Sequence, residues 1–153
     1  MSTPRLPEID IDFEIQPFVG SRVWEDWARI FNEASAELAS FVPVTAASLE
    51  DHRPPDFRPD QVLFARQKKK RVGYVHLRPS RGVAFIEELA VIPEAWGQGV
   101  GAALLVAAIE LAEARGFPQV ALTVDQSNKR ARALYARLGF ERLGERTHLV
   151  RRP

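Results

Sequence analysis

Three apolar segments follow one another with almost nothing between them: QVLFARQ (61–67), RVGYVHLRP (71–79) and GVAFIEELAVIPE (82–94). Their joints are KKK and SRG, the last glycine being shared with the third segment. Two parallel strands need a crossover of about a dozen residues, so joints this short allow only an antiparallel meander. Everything else in the chain has to be arranged around that sheet. Upstream, IDIDFEIQPF (9–18) alternates apolar and polar side chains over its first half and reads as a strand. RVWEDWARIFNEASAEL (22–38) places Val23, Trp27, Ile30, Phe31 and Ala34 near helical spacing, with Ser21 as the N-cap. ASLEDH (47–52) suggests a second, short helix, and RPPDFRPD, with three prolines in eight residues, is loop.

After Pro93 the pattern changes. GAALLVAAIELAEARG (101–116) is rich in helix formers and ends on Gly116, where a C-terminal glycine is expected. QVALTVD (119–125) is a short buried strand. SNKRARALYARLG (127–139) is a helix opened by Ser127 or Asn128 and closed by Gly139, and FERLGERTHLVR (140–151) is a strand or hairpin. No repeat, linker or low-complexity tract interrupts this order. Residues 1–153 are therefore expected to form one α/β domain, with a mixed, mostly antiparallel sheet flanked by helices.

Composition narrows the chemistry. With 46% hydrophobic and 27% charged residues the chain is an ordinary globular one, and a net charge of +1 gives no bulk attraction to nucleic acid or anionic membrane. No apolar run is long enough to span a bilayer and the N-terminus lacks a signal-peptide pattern, so a cytoplasmic protein is expected. The absence of cysteine excludes disulfides, thiolate nucleophiles and zinc–thiolate sites. The three histidines, His52, His76 and His148, match no metal-ligand spacing, so no metal is expected and they are assigned no role.

Two features remain. In Gly97-Gln-Gly99-Val-Gly101-Ala102 three glycines alternate at the start of a helix. The run loosely fits a dinucleotide fingerprint, but it follows an antiparallel meander and only about a third of the chain comes after it, which leaves too little for a Rossmann sheet. No G-K-[ST] follows, so it is no P-loop. Backbone N–H groups left uncovered at a helix N-terminus, with glycines allowing close approach, instead make a phosphate site. The second feature is Glu87-Glu88 inside an apolar strand. Adjacent strand residues point to opposite faces, so both cannot reach one solvated face without a bulge, and at least one is expected near the interior. A buried carboxylate has a raised pKa and suits a general base.

At this point the chain resembles the GNAT superfamily of acyl-CoA-dependent N-acetyltransferases. LAVIPEAWGQGVGA (89–102) is similar to that family's strand and (Q/R)-x-x-G-x-(G/A) loop, and NKRARALYARLGF (128–140) to its N-x-x-A-x-x-L-Y-x-x-x-G-F run. The one departure is Trp96, where the family usually has Gln or Arg. The resemblance implies transfer of an acetyl group from acetyl-CoA to a primary amine by direct attack in a ternary complex. Its runner-up is a non-catalytic acyl-CoA-binding domain of the same fold. It implies pyrophosphate contacts from the main chain of Gln98, Gly99, Gly101 and Ala102, strand-like pairing of the cofactor arm with Leu89, Ala90 and Val91, and a contact from Asn128. An N–H of Leu89 or Ala90 would face the thioester oxygen. Glu87 occupies a frequent base position of the family and Tyr135 its acid position, with Glu88 left to anchor a loop or contact the acceptor. Lys129, Arg130 and Arg132 either face the cofactor's 3′-phosphate or form a solvated helix face. Thr123 stands where some ribosomal-protein acetyltransferases of the family carry a catalytic glutamate, which weakens that assignment. The acceptor is a small-molecule or peptide amine shaped by residues 39–60 and the C-terminal strands, and a homodimer is allowed.

Overall fold

The short joints do what their length requires. In the computed structural model, which describes residues 13–124, 129–142 and 148–151, β2 (Val62–Gln67), β3 (Lys70–Ser80) and β4 (Val83–Val91) form an antiparallel meander. The β3–β4 turn is Arg81-Gly82, both with positive φ, the type I′ geometry whose twist matches a two-residue hairpin. β1 (Glu14–Pro17) pairs antiparallel with β2. The expected first strand began at residue 9, and residues 9–12 lie outside the described ones.

Helix α3 (Val100–Ala114) is the crossover that lets β5 (Gln119–Thr123) run parallel to β4. Helix α4 (Lys129–Arg137) leads to the antiparallel pair β6 (Glu141–Arg142) and β7 (His148–Arg151), and β7 lies against β5. The sheet order is β1-β2-β3-β4-β5-β7-β6. Both expected glycine stops hold, with one geometry. Gly116 has φ 79° and Gly139 φ 92°. The next residue returns its N–H to the carbonyl five back: Phe117 to Ala112 and Phe140 to Tyr135, each at 3.0 Å.

Helices α1 (Val23–Ser35) and α3 cover opposite faces of the meander. Tyr74 and His76 of β3 lie against Trp27 of α1, while a Cβ at Gly73, the residue before Tyr74, would stand 3.0 Å from Leu104 of α3. The short α2 (Ala46–Asp51) is capped by Thr45, whose hydroxyl accepts from Ser48 N. The start of α1 differs from expectation. Arg22, in the left-handed region, and not Ser21, occupies the N-cap, and no side chain caps the helix. Arg71 holds the preceding turn by donating to the carbonyls of Val19 and Ser21.

Candidate active site

The paired glutamates stand side by side because the strand carries an extra residue there. His76 pairs with Glu88 and Leu77 with Ile86, so Glu87 has no partner on β3 and forms a bulge. The usual alternation is lost, and both carboxylates line one cavity between α1, α2 and β4.

Their surroundings differ. Glu87 is exposed and its Oε2 lies 3.0 Å from Nε of Arg78. Glu88 is the half-buried one. Its Oε1 accepts from the hydroxyl of the fully buried Tyr74 and, at 3.4 Å, from the indole of Trp27. Burial pushes the Glu88 carboxyl above the usual carboxylate range, against the opposing pull of those two donors. Burial and the neighbouring Glu88 charge also push the Tyr74 phenol far up, so it remains a donor. Both donors sit on Oε1, and Oε2 has no hydrogen-bond partner among the described residues. The interior carboxylate foreseen from the sequence is thus Glu88, and the raised-pKa argument attaches to it.

Beyond the bulge, β4 keeps its β3 partner through Val91, but its pairing with β5 ends at Ile86. Residues 87–91 therefore present an open strand edge. Ile92 N donates to Val72 of β3. Backbone groups alternate sides along a strand, so Ala90 also faces β3, while Leu89 and Val91 face the open edge. The main chain of Ala90 is thus turned toward β3, inside the sheet. Val91 is partly spent, because its carbonyl accepts from the Trp96 indole at 2.7 Å. Trp96 is 56% exposed and ties the loop back to the strand.

The edge leads to the glycine loop. Gly97 and Gly99 have φ 77° and 83°, which L side chains rarely adopt, and the space above each is open. Gly99 is the N-cap of α3; no side chain caps the helix and its first turn holds no acidic residue. The first intrahelical bond comes from Ala103 N to Gly99 O, so the N–H groups of Val100, Gly101 and Ala102 remain free for an anion. These residues fit a phosphate. The Gln98 side chain turns away, accepting from Gln67 and donating to the Glu94 carbonyl, which leaves only its main chain for that role.

Tyr135, on α4, packs edge-on against Phe140, with ring centroids 5.9 Å apart. Burial raises its pKa, which keeps the phenol protonated at neutral pH. Asn128 lies outside the described residues, as does its proposed contact. Lys129 and Arg132 line a separate cavity with Phe140 and Arg142, apart from the glutamates and the glycine loop. Thr123 is exposed on β5. Among the described residues no cluster of three acidic or histidine side chains could hold a metal ion, and no helix is long and apolar enough to cross a membrane.

Sequence reasoning passed over His76. It is 8% exposed, lines the same cavity as the glutamates, and its Nε2 has no hydrogen-bond partner among the described residues. Its one sequence signal was a histidine in the middle of an apolar strand.

Comparison with known proteins agrees with this geometry. The model of the acetyltransferase (GNAT) family matches residues 23–140. A mycothiol acetyltransferase of Clavibacter michiganensis is 35% identical over 118 residues, covering 76% of this chain and 39% of the relative. One from Streptomyces coelicolor is 30% identical over 142 residues, covering 90% and 44%. The chain thus spans less than half the length of these curated relatives. Among solved structures, the PaiA N-acetyltransferase of Thermoplasma acidophilum in complex with coenzyme A superimposes with a TM-score of 0.67 at 15% identity, covering 94% of this chain and all of that one. The order of strands, the split between β4 and β5, the glycine loop and the match over most of the chain lead to one conclusion: the chain belongs to the acetyltransferase (GNAT) family.

Proposed function

We propose that residues 1–153 act as one acetyltransferase domain that moves an acetyl group from acetyl-CoA to a primary amine of a small molecule. The observation that carries this reading is the bulge at Glu87, which turns two carboxylates into one cavity at the start of an open strand edge leading to uncapped helix amides. The relatives' name, mycothiol acetyltransferase, and the bound coenzyme A of the Thermoplasma structure support it.

When bound, acetyl-CoA supplies an acetyl group already activated as a thioester. The rest falls to the chain. The amides of Gly99, Gly101 and Ala102, with the Gln98 main chain, hold the pyrophosphate, and Asn128 contacts the cofactor arm. The open edge at Leu89 and Val91 orients that arm as an added strand would. The Leu89 N–H faces the thioester oxygen and stabilises the charge that develops there. An alkyl ammonium, with a pKa of roughly 10, must lose a proton before its nitrogen can attack. Glu88 takes that proton through Oε2, directly or by way of a water, and Glu87 draws the cation into the cavity. As the C–N bond forms and the C–S bond breaks, Tyr135 gives its proton to the departing thiolate and recovers one from the acylated nitrogen. No cysteine is present to form an acyl-enzyme by thiol chemistry, which favours direct attack.

Acetyl-CoA at about a hundred times its Kd should raise Tm by about 5–10 °C, from roughly 2.7 kcal/mol of linkage in a chain of this length. No shift, together with no heat of binding, would refute the reading. Acetyl-CoA should also change indole emission, and Trp96→Phe should remove most of that change, because Trp96 bridges the loop and the strand edge. If the change survives, Trp24 or Trp27 is the reporter. Tyr135→Phe should lower kcat about 100-fold or more while acetyl-CoA affinity and Tm stay near wild type, since the ring that packs on Phe140 is kept. An unchanged kcat under chemistry-limited conditions rules out the acid role.

A further inference from the structure

Granting the acetyltransferase reading, the cavity beside the bulge also says something about the acceptor. It encloses about 330 Å³. At roughly 30 Å³ per water that is space for on the order of ten heavy atoms. Its walls are largely carbon. Trp24 and Trp27 stack at 5.6 Å with 3° between their planes, and Phe57 stands 5.5 and 6.0 Å from them. A polyhydroxylated ligand would set most of its hydroxyls against these rings, away from the few polar groups of the wall, at about 1–3 kcal/mol for each left without a partner.

The polar groups of the inner wall are few and of one kind. Glu88 offers the free Oε2. His76 is its direct partner across the β3–β4 pair, so the two side chains stand about 5 Å apart at Cβ. The His76 ring is held edge-on by Trp27 and Phe57, at 5.4 and 5.7 Å. Burial pushes its pKa down, against the raising effect of the Glu87 and Asp56 charges and with the Arg78 charge, so it is neutral near pH 7 and carries one acceptor nitrogen. A buried ring nitrogen without a partner is a cost that a ligand donor would remove. A carboxylate oxygen, an imidazole nitrogen and aromatic faces together receive an ammonium, which has N–H bonds to give and a charge that ring faces attract.

We propose that this cavity takes a primary amine carried on a short apolar or aromatic body, with the ammonium held between Glu88 and His76 and the body against Trp24, Trp27 and Phe57. His76 is then a specificity-determining contact. The exposed rim, with Ser48 and Arg53, admits the ligand and makes no demand on its far end.

The test is calorimetric binding of four amines to the CoA-saturated protein: 2-phenylethylamine, hexylamine, putrescine and glucosamine. The first two should bind at least about tenfold tighter than the last two. His76→Phe keeps an aromatic ring but no nitrogen, and should weaken 2-phenylethylamine about tenfold, the weight of one hydrogen bond to a charged group, with the Kd of acetyl-CoA unchanged. Ser48→Trp adds an exposed ring to the rim and should abolish amine binding at unchanged Tm, which keeps the test open if the core variant fails to fold. Tighter or equal binding of glucosamine or putrescine, no binding of any of the four, or unchanged affinity in both variants would overturn the proposal. Turnover of putrescine or glucosamine alone would leave the acetyltransferase reading standing and this one refuted. The expected binding pattern without turnover of any amine would do the reverse.

Discussion

Gly101→Glu is expected to abolish acetyl-CoA binding and leave the fold intact. Gly101 sits at the second position of α3 with one of the free N–H groups, and its φ is not in the left-handed region. A Cβ there would meet only Val91 Cγ2, at an ordinary 3.9 Å. The substitution therefore carries no backbone strain, unlike a change at Gly97 or Gly99, where positive φ alone costs about 1–2 kcal/mol. The new carboxylate lies over the uncapped amides and is itself favoured by the helix N-terminus. It competes for the same donors and repels the pyrophosphate. A like-charge pair at about 4 Å and an effective dielectric near 20 is worth roughly 4 kcal/mol, so affinity should fall at least about a hundredfold. Gly101→Ala is the control and should bind acetyl-CoA within about threefold of wild type. If Gly101→Glu binds normally, the helix N-terminus is not the phosphate site. If Gly101→Ala is as damaging as Gly101→Glu, the loss is steric and the charge argument fails.

Why this loop was readable and other parts of the site were not is a matter of range. Joint length, glycine stops and alternating glycines act over a few residues, and these marked the meander, both helix ends and the uncapped glycine loop in advance. The start of α1 was misplaced by one residue because the turn before it is held by Arg71, about fifty positions away, and not by a local capping side chain. The bulge belongs to the register between β3 and β4 and cannot be seen in the period of either strand. Its trace was the pair of carboxylates itself, which simple alternation would have sent to opposite faces. His76 gained its importance from Trp27 and Phe57, residues of other segments, which leave one of its ring nitrogens without a partner. The Trp96–Val91 bond likewise turns an apparent defect of the loop motif into a brace for it.

The same register decides which glutamate should matter more. Family position names Glu87; burial names Glu88. Glu88→Gln is expected to lower kcat/KM about 10²–10³-fold at pH 7, within the usual range for general-base assistance. The loss should shrink as pH rises, because free amine becomes abundant and needs no base. The acid limb of the wild-type profile should fall above the ordinary carboxylate range, following the raised Glu88, and should vanish in the variant. Glu87→Gln keeps the cavity and the buried base, and should mainly raise KM for the amine. Stability supplies an independent check. The folded-state pKa of Glu88 lies above its unfolded value, so its favourable contribution is present at acid pH and is lost as pH rises through the folded pKa. Ionised Glu88 is therefore a cost at neutral pH. Glutamine keeps an oxygen for Tyr74 and Trp27 and carries no charge. Glu88→Gln should thus gain Tm relative to wild type at pH 8 and not at pH 4, a gain that an exposed or ion-paired carboxylate would not give. A large loss of kcat/KM in Glu87→Gln beside a near-normal Glu88→Gln would return the base to the family position. Near-normal activity in both would mean that an ordered water without a carboxylate partner accepts the proton.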